Sequence, residues 1–324
     1  MNGTGSSHQE VADIPERTCR EILLTLDRLP PIIIADPVPI GQHPTSTPDG
    51  QCLYRRQLSD VRYQLAQDDT MSDPMALVRF MDRVESTDLI KGVYEGGMKT
   101  WECSVDLVNY LAEHWESLQL ENKKIIELGC GSALPSIFCL QQTQSAQVHL
   151  QDYNAEVLQL ITLPNLVINT VWRSSTVTAN PTEEVEIPIA DRRDEMAQSA
   201  AWTSIRDRCR LVAGDWRYVV DHLQQQQQQH PTAAAVSGSP RYDLILTSET
   251  IYNQASQAKL YELIKGLLAP GGMALIAAKL VYFGCDGNVH TFTQLVEGRG
   301  EFKLTRLGSY GQHIRREILK MEFL

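Results

Sequence analysis

The stretch "KKIIELGCGSALPS", residues 123–136, runs a short apolar segment into a loop that holds two glycines and a serine. The motif of a triphosphate-binding loop needs a lysine after its last glycine, and no lysine lies between Gly129 and Gln144. A dinucleotide fingerprint is disfavoured because Leu134 stands at the place of its third glycine, where helix packs on strand. The loop therefore points to a different ligand.

The composition limits the classes of protein to which the chain can belong. With 324 residues, 43% of them hydrophobic, the chain can bury a sizeable core. A formal net charge of -11 argues against direct nucleic-acid binding, because phosphate binding needs clustered Lys and Arg. A basic protein partner fits this charge better.

Two further features bear on the compartment. The 7 cysteines are scattered without a Cys-x-x-Cys pair, which indicates neither a disulfide framework nor a zinc site. The N-terminal sequence lacks a basic start followed by an apolar core, and no apolar run of about 18 residues occurs. We expect a monomeric protein of the cytoplasm and nucleus, with no bound metal and no membrane contact.

Seven segments have the character of strands. In chain order they are "KKIIEL" (123–128), "QVHLQD" (147–152), "CRLVAG" (209–214), "YDLILT" (242–247), "MALIAAK" (273–279), "FKLTRL" (302–307) and "REILKMEF" (316–323). Helix-sized segments separate the first five, which is typical of a parallel sheet with helices on both faces. The last two are close together and alternate apolar with polar residues, as in an antiparallel hairpin. This α/β pattern differs from the two symmetric halves of a dinucleotide-binding fold.

The remaining segments are interpreted as less ordered. Residues 1–70 mix Pro, Ser, Gln and Asp and are predicted to be a mostly disordered leader. Within it, the pattern of "PIIIADPVPI" (31–40) favours an edge strand or a linker over a docking segment. Residues 71–324 are predicted to form one domain with flexible insertions at about 172–207 and 222–240. The second insertion contains a glutamine run at 224–229, which is interpreted as a mobile surface loop.

The spacing Glu127-x-Gly129-x-Gly131-x-Ala133 resembles the first motif of S-adenosylmethionine-dependent methyltransferases. That cofactor carries no phosphate, so its loop needs close backbone approach rather than an anion nest.

Two later strands end in residues that suit the same cofactor. Asp152 follows Gly129 by 23 residues and is placed either to accept both ribose hydroxyls or to cap the next helix. Asp215 is a candidate acceptor for the adenine amino group. Trp216 offers a flat face beside the adenine ring or belongs to the core.

Six segments in this order resemble the eukaryotic protein-histidine N-methyltransferases: "GVYEGGMKTWECSVDLVNYL", "IIELGCGSALPSI", "HLQDYNAEVLQLITLPNLVIN", "GDW", "YDLILTSETIYN" and "AAKLVYFGCDGNVHTFTQLVE". The resemblance runs from about Leu89 to the C-terminus apart from the two insertions. It implies a Rossmann-like seven-strand methyltransferase sheet, mostly parallel, with an antiparallel C-terminal strand. It also implies methyl transfer from S-adenosyl-L-methionine to a histidine of a protein. The known acceptor of the family belongs to a basic large-subunit ribosomal protein.

The resemblance also implies a cofactor pocket. Its residues are Thr100, Trp101, Glu102, Cys103, Ser104, Gly129, Gly131, Gln151, Asp152, Tyr153, Gly214, Asp215, Trp216 and Ser248. From pattern alone, the segment at 100–104 equally fits the start of an amphipathic helix. Relatives usually read Gly-Cys-Gly-Ser-Gly-Leu-Leu-Gly where this chain has Ala133, Pro135 and Ser136. We expect weakened rather than abolished cofactor binding, because alanine is small and proline is tolerated in a first helical turn.

The candidate catalytic residues lie in "SETIYN" (248–253), after the fourth of the seven strands. Glu249 and Tyr252 form an acidic-x-x-Tyr arrangement that resembles motifs of related protein methyltransferases. Our hypothesis is that Glu249 accepts the hydrogen on the far imidazole nitrogen and that Tyr252 or Asn253 lines the acceptor channel. Alternatively, Glu249 contacts only cofactor or a helix end. The loop at 279–290 is predicted to form part of the acceptor wall.

Two other functions fit the same motifs. A protein-lysine methyltransferase of the same superfamily shares the glycine loop, the ribose aspartate and the acidic-x-x-Tyr motif. A non-catalytic ribosomal-protein chaperone or assembly factor would keep the cofactor pocket, and the altered glycine loop favours it.

Overall fold

The computed structural model describes residues 18–41, 52–67, 96–172, 183–229, 240–311 and 313–324. Parts of the predicted leader and of both predicted insertions lie outside these ranges. No helix within them combines the length and apolar character that a membrane-crossing helix requires.

The described elements follow one another in the chain as strands and helices of an α/β protein. The strands are β1 (Arg20–Ile22), β2 (Ile32–Pro39), β3 (Cys52–Arg56), β4 (Lys124–Leu128), β5 (Gln147–Asp152), β6 (Val185–Pro188), β7 (Cys209–Ala213), β8 (Tyr242–Ser248), β9 (Leu268–Lys279), β10 (Phe302–Tyr310) and β11 (Arg316–Phe323). The helices are α1 (Leu58–Gln67), α2 (Glu102–Leu118), α3 (Leu134–Gln142), α4 (155–172, in which α-helical and π-helical turns alternate), α5 (Arg193–Gln198), α6 (Ala200–Arg208), α7 (Trp216–Gln229), α8 (Gln254–Leu267) and α9 (Val289–Arg299).

The main sheet has the order β1-β7-β5-β4-β8-β9-β11-β10. Strands β7, β5, β4, β8 and β9 are parallel, and β11 lies antiparallel between β9 and β10. All seven predicted strands and the closing hairpin are confirmed. The carboxyl ends of the five parallel strands therefore meet at one edge of the sheet.

Both faces of this sheet are covered, because neighbouring strand residues belong to different hydrophobic clusters. Ile125 packs with α2, α3 and α4 on one face, whereas Ile126 packs with α7, α8 and α9 on the other. Burial on both faces explains why β4 reads as a continuous apolar run rather than as an alternation.

The interpretation of residues 1–70 as mostly disordered is wrong for the part that the structure describes. Strand β1 adds to the edge of the main sheet beside β7, and β2 is the central strand of a second sheet with the order β3-β2-β6. Ile33, Ala35 and Val38 of β2 are buried in the same cluster as α2, α3 and α4. The proline-rich patch is therefore an internal strand, neither an edge strand nor a linker.

Strand β2 tolerates Pro37 because this residue lies at a position where no neighbouring strand needs a backbone N–H. Pro37 lies opposite Tyr54, whose backbone N–H and C=O bond to the Asn169 side chain at 2.7 Å instead of to β2. Strand β6 pairs only with residues 32–35, so no neighbour needs an N–H from Pro37. Composition alone does not indicate this strand, because the pairing register decides which backbone N–H groups must donate to a neighbouring strand.

The described parts of the predicted flexible insertions are also regular. Residues 183–208 supply β6, α5 and α6. The glutamine run belongs to α7 and is not a loop: Val219 and Leu223 anchor one face of the helix, and Gln226 Nε2 donates to Glu21 Oε2 of β1 at 3.0 Å. Glutamine has good helix propensity, which explains why the helix continues.

Candidate functional site

A pocket of about 920 Å³, counted out to its open mouth, lies at the carboxyl ends of the parallel strands. Ligands of open α/β sheets bind at this edge. The residues that line it come from the segment before α2, the glycine loop after β4, the ends of β5, β7 and β8, and the start of α8. They are Gly96, Gly97, Lys99, Trp101, Ser104, Gly129, Cys130, Gly131, Ser132, Asp152, Tyr153, Asp215, Trp216, Ser248, Glu249, Thr250, Tyr252, Ser256 and Lys259.

The glycine loop touches a second loop that only glycines permit. Gly131 has φ +49°, and a Cβ there would lie 3.1 Å from the carbonyl oxygen of Gly97. A Cβ on Gly97 would in turn lie 2.9 Å from the Val157 side chain. Bare backbone therefore forms one wall of the pocket.

Hydrogen bonds with two side chains hold the glycine loop in place. Thr162 Oγ1 donates to the Gly131 carbonyl at 2.6 Å, and the Gly131 N–H donates to Asp152 Oδ2 at 2.9 Å. Asp152 Oδ1 also accepts the Asn154 N–H at 3.2 Å, just before α4. Asp152 thus supports the loop and the helix entry while its carboxylate lines the pocket.

The three residues that depart from the family pattern lie at the start of α3. Ala133 is buried with φ 56° and ψ 21°, a left-handed conformation that glycine adopts more easily. Pro135 lies in the first turn, and the Ser136 N–H donates to Glu127 Oε2 at 3.0 Å. Burial raises the pKa of Glu127 to about 8. The loop therefore rests on a strained residue and on a carboxyl that burial keeps largely protonated near neutrality.

Gln151 was predicted to contact cofactor, but it lies behind the pocket wall and is fully buried. Its side chain accepts the Trp216 Nε1–H at 2.8 Å and donates to the Gly214 carbonyl at 2.8 Å. Gln151 therefore orients the Trp216 ring, which does line the pocket.

Gly214 was also predicted to contact cofactor, and it does not line the pocket. Its φ is +136°, and a Cβ there would lie 2.7 Å from the Sγ of Cys19, just before β1. The glycine is needed because the N-terminal strand passes close by. Sequence reasoning missed this cause because 195 residues separate the two positions.

Asp215 lines the pocket with its carboxylate largely engaged. Arg217 donates to it through its backbone N–H and its guanidinium, and Lys259 Nζ lies 3.4 Å from Oδ2. Burial alone would raise the pKa of Asp215, but these hydrogen bonds and charges hold the pKa below its ordinary value. Its contact with an adenine amino group stays a prediction.

The segment at 100–104 contributes two of its five predicted residues, Trp101 and Ser104. The Trp101 Nε1–H donates to the Gly96 carbonyl at 2.8 Å, which fixes the ring. Among the other three, Thr100 lies outside the pocket lining and Cys103 is buried in the core. Glu102 extends into solvent, with 60% of its side chain exposed. The segment begins α2, so only one side of it faces the pocket.

Glu249 occupies the most constrained position of the site. Its φ is +58°, its N–H donates to the Ala277 carbonyl at 2.9 Å, and only 7% of its side chain is exposed. Oε1 lies 3.4 Å from Lys279 Nζ. The Cys103 thiol and the Tyr282 hydroxyl also approach the carboxylate, but neither carboxylate oxygen has a well-aligned hydrogen bond among the described residues. A non-glycine residue in this conformation costs free energy, and such strain concentrates at functional sites.

The other two predicted catalytic residues have different surroundings. Tyr252 lines the pocket, and its ring lies 6.2 Å from that of Tyr282. Asn253 does not line it: its Oδ1 accepts the N–H groups of Ala255 and Ser256 at 2.9 and 3.3 Å and caps α8. Of the two residues predicted as alternatives for lining the acceptor channel, the pocket geometry favours Tyr252.

Sequence reasoning missed eight residues of the lining. They are Gly96, Gly97, Lys99, Cys130, Ser132, Thr250, Ser256 and Lys259. The adjacent glycines before "KTWEC" were a usable signal, since paired glycines mark close backbone approach. Lys99 and Lys259 could not be identified, because the sequence does not distinguish a lysine that lines a pocket from an ordinary surface lysine.

Seven strands in the order β7-β5-β4-β8-β9-β11-β10, with this pocket at the carboxyl ends of the parallel ones, form the Rossmann-like seven-strand sheet of the methyltransferase fold class. The histidine protein methyltransferase 1 of Schizosaccharomyces pombe is 30% identical over 285 residues, covering 84% of this chain and 78% of that protein. The Saccharomyces cerevisiae protein of the same name is 31% identical, covering 76% of this chain and 69% of that protein. The chain belongs to the histidine protein methyltransferase 1 family.

Other comparisons set the limits of this assignment. A family model described as lysine methyltransferase matches residues 90–183. The Bos taurus histidine protein methyltransferase 1 homolog is 34% identical over 73% of this chain, and the matched region spans 58% of its length. The solved precorrin-6y C5,15-methyltransferase of Geobacter metallireducens aligns at 12% identity with a TM-score of 0.40, over 70% of this chain and 94% of that one. The family assignment therefore rests on sequence relatives.

Proposed function

We propose that the chain transfers a methyl group from S-adenosylmethionine to a ring nitrogen of a histidine in a protein substrate. The observation that carries the proposal is the Glu249 carboxylate, which is buried, lines the pocket and has no well-aligned hydrogen bond from the described residues. Such a group is suited to accept an N–H from a bound ring. The names of the family relatives support histidine as the acceptor.

The residues of the pocket suit the cofactor. The glycine loop presents bare backbone, Asp152 offers a carboxylate to the ribose hydroxyls, and Trp216 offers a flat ring. The Ser104 hydroxyl is buried in the lining with no hydrogen-bond partner among the described residues, so a bound ligand can satisfy it. Bound there, S-adenosylmethionine supplies an electrophilic methyl group on a sulfonium.

The chain's own residues then orient the acceptor. Glu249 accepts the N–H of the far imidazole nitrogen, which leaves the lone pair of the near nitrogen free to attack. Tyr252 packs beside the ring. Imidazole has an ordinary pKa of about 6.5 and is mostly neutral at physiological pH, so no strong base is needed. Orientation is the main contribution of the protein.

We further propose that the acceptor belongs to a basic large-subunit ribosomal protein, which a cytoplasmic and nuclear enzyme can reach. The net charge of -11 favours such a partner electrostatically. The predicted acceptor wall contacts the catalytic segment, since the Gly287 N–H donates to the Tyr252 carbonyl at 2.8 Å. In the same loop, Val281 and Phe283 are 55% and 84% exposed and offer apolar contacts to a polypeptide.

Lysine methylation is the second candidate, and the description of the matching family model favours it. A lysine acceptor must lose its proton before it can attack, and its ordinary pKa is about 10.4. A lysine enzyme therefore shows a steeply alkaline rate profile, whereas a histidine enzyme reaches a plateau near neutrality.

The deciding experiment incubates the protein with labelled S-adenosylmethionine and an extract of cells that lack this activity. Mass spectrometry then identifies the labelled residue. We expect methylhistidine. Methyllysine alone would support the second candidate. Absence of both label and calorimetric cofactor binding would support a non-catalytic chaperone or assembly factor.

A further inference from the structure

Lys279, the last residue of β9, lies between two carboxylates beside the pocket. Its Nζ is 3.1 Å from Glu102 Oε2 and 3.4 Å from Glu249 Oε1. It also lies 4.9 Å from the centre of the Trp101 ring. With 13% of the side chain exposed, one ammonium group is held by contacts to two other segments of the chain, the start of α2 and the segment after β8.

The other groups around Glu249 do not supply a balancing charge. The Cys103 thiol and the Tyr282 hydroxyl lie near its carboxylate, and burial together with that negative charge raises the pKa of both. They therefore stay neutral. Nearby, Arg316 is engaged with Asp106, with Nη2 and Oδ1 3.1 Å apart. In the described part of the chain, Lys279 is the cation paired with Glu249.

This pairing affects which acceptor the site favours. A buried carboxylate without a counter-charge attracts a cation, and the ammonium of a substrate lysine would satisfy it and could pass to it the proton that lysine must lose before attack. A carboxylate that already faces an ammonium gains less from a second cation, yet it can still accept one N–H from a neutral ring.

We propose that Lys279 is a positioning residue that holds the Glu249 carboxylate and, by balancing its charge, selects a neutral imidazole over a lysine ammonium. The inference rests on the proposed function, because it requires that Glu249 face the acceptor. It adds a residue outside the pocket lining to the determinants of acceptor choice.

Three variants test the inference. Lys279→Met removes the charge and keeps the length of the side chain, and Lys279→Arg keeps the charge. Lys265→Met is the matched control, because Lys265 is a half-exposed lysine that pairs with Glu301 of a different region. Each protein is incubated with labelled S-adenosylmethionine and the extract described above. The labelled proteins are hydrolysed, and methylhistidine and methyllysine are quantified. Calorimetry measures cofactor affinity in parallel.

For Lys279→Met we expect methylhistidine formation to fall about tenfold, as when a hydrogen bond to a charged group is lost. The methyllysine share of the label should rise while cofactor affinity is unchanged. Lys279→Arg should recover most of the methylhistidine rate, and Lys265→Met should match the parent.

Two results would overturn the inference: a parental methylhistidine rate in Lys279→Met, or a loss in Lys279→Arg as large as in Lys279→Met. If Lys279→Met formed methylhistidine more slowly but gained no methyllysine, the proposed role of Lys279 in selecting histidine over lysine would be overturned. These outcomes differ from failure of the proposed function, in which the parental protein itself forms no methylhistidine.

Discussion

The two halves of the pocket are built in different ways. In the cofactor half, backbone groups form most of the wall: Gly131 contacts Gly97, and Asp152 accepts the backbone N–H of Gly131 in the loop and that of Asn154 before α4. In the acceptor half, Glu249 is held in a left-handed conformation, and its carboxylate is paired with Lys279 of another strand. The first half depends on local sequence and the second on tertiary placement, so the halves should respond separately to substitution.

Glu249→Gln should give the largest difference between the two halves, because it should lower the rate of methyl transfer without changing cofactor binding. Glutamine is nearly isosteric but cannot carry the negative charge that stabilises the imidazole as methylation makes it cationic. We expect kcat to fall about 100-fold to 1,000-fold, with the Kd for S-adenosylmethionine unchanged. Single-turnover methylation and calorimetry measure the two quantities. Glu262→Gln, an exposed carboxylate on α8, serves as the control. A parental rate in Glu249→Gln would remove this residue from the mechanism.

Asp152→Asn should act on the other half. Asparagine can still accept the Gly131 N–H, but it loses the charge that strengthens hydrogen bonds to the ribose. Since hydrogen bonds to charged groups contribute about 1.5–3 kcal/mol, we expect a Kd higher by roughly 10-fold to 100-fold. The rate at saturating cofactor should stay near that of the parent. Calorimetry would contradict the assignment if Asp152→Asn and the half-exposed control Asp243→Asn, which lies outside the pocket lining, bound the cofactor equally well.

Glu127→Gln tests the support beneath the glycine loop through pH. The folded-state pKa of about 8 lies above the ordinary value, so the protonated carboxyl is tolerated in the fold and the charged one is not. The stability that the protonated Glu127 contributes is fully present below its ordinary pKa of 4.5 and is lost as the pH rises to about 8. Between these two pH values, the free energy of unfolding of the parent should therefore fall by up to about 1.4 kcal/mol per pH unit.

The Glu127→Gln variant should show a flatter profile, because its amide does not ionise. Its Oε1 can still accept the Ser136 N–H. Urea unfolding at pH 5, 6.5 and 8 gives the comparison. Parallel profiles for the two proteins would mean that another group causes the pH dependence.

Ala133→Gly should change the free energy of unfolding least, and whether it raises or lowers that free energy tells whether Ala133 is strained. Glycine relieves the left-handed conformation, so we expect a gain of about 0.5–1 kcal/mol in the free energy of unfolding. The Kd for S-adenosylmethionine should fall slightly as the loop relaxes. Ala112→Gly, inside helix α2, should instead lose a similar amount. A loss in both variants, measured by denaturant unfolding, would show that the buried methyl of Ala133 outweighs its strain.

The same contrast explains what the sequence could predict. Apolar runs separated by helix-sized segments identified the seven strands, because burial on both faces leaves a composition signal. Gly129, Gly131, Asp152 and Trp216 were found because they follow strand ends at a regular spacing. These features are local, and local spacing is visible in one sequence.

Features that depend on distant partners were not predictable. Gly214 is a glycine because Cys19 passes over it, and Gln151 serves Trp216 rather than a ligand. Lys279 gains its position from strand pairing between β9 and β11, where it lies opposite Arg316. The central position of β2 was missed because its prolines are tolerated only in this register. No spacing rule carries such information.

The pairing of β1 with β7 also has a consequence for biosynthesis. Arg20 lies opposite Ala213, 193 residues later, so the ribosome finishes the first strand long before its partner exists. Strand β2 waits similarly for β6. During that interval the apolar side chains of Ile33 and Leu53, which end fully buried, have no complete sheet to cover them. Strands β1 and β2 can therefore complete their sheets only after β7 and β6 have been made, and exposure of these nascent strands should limit the yield of active protein.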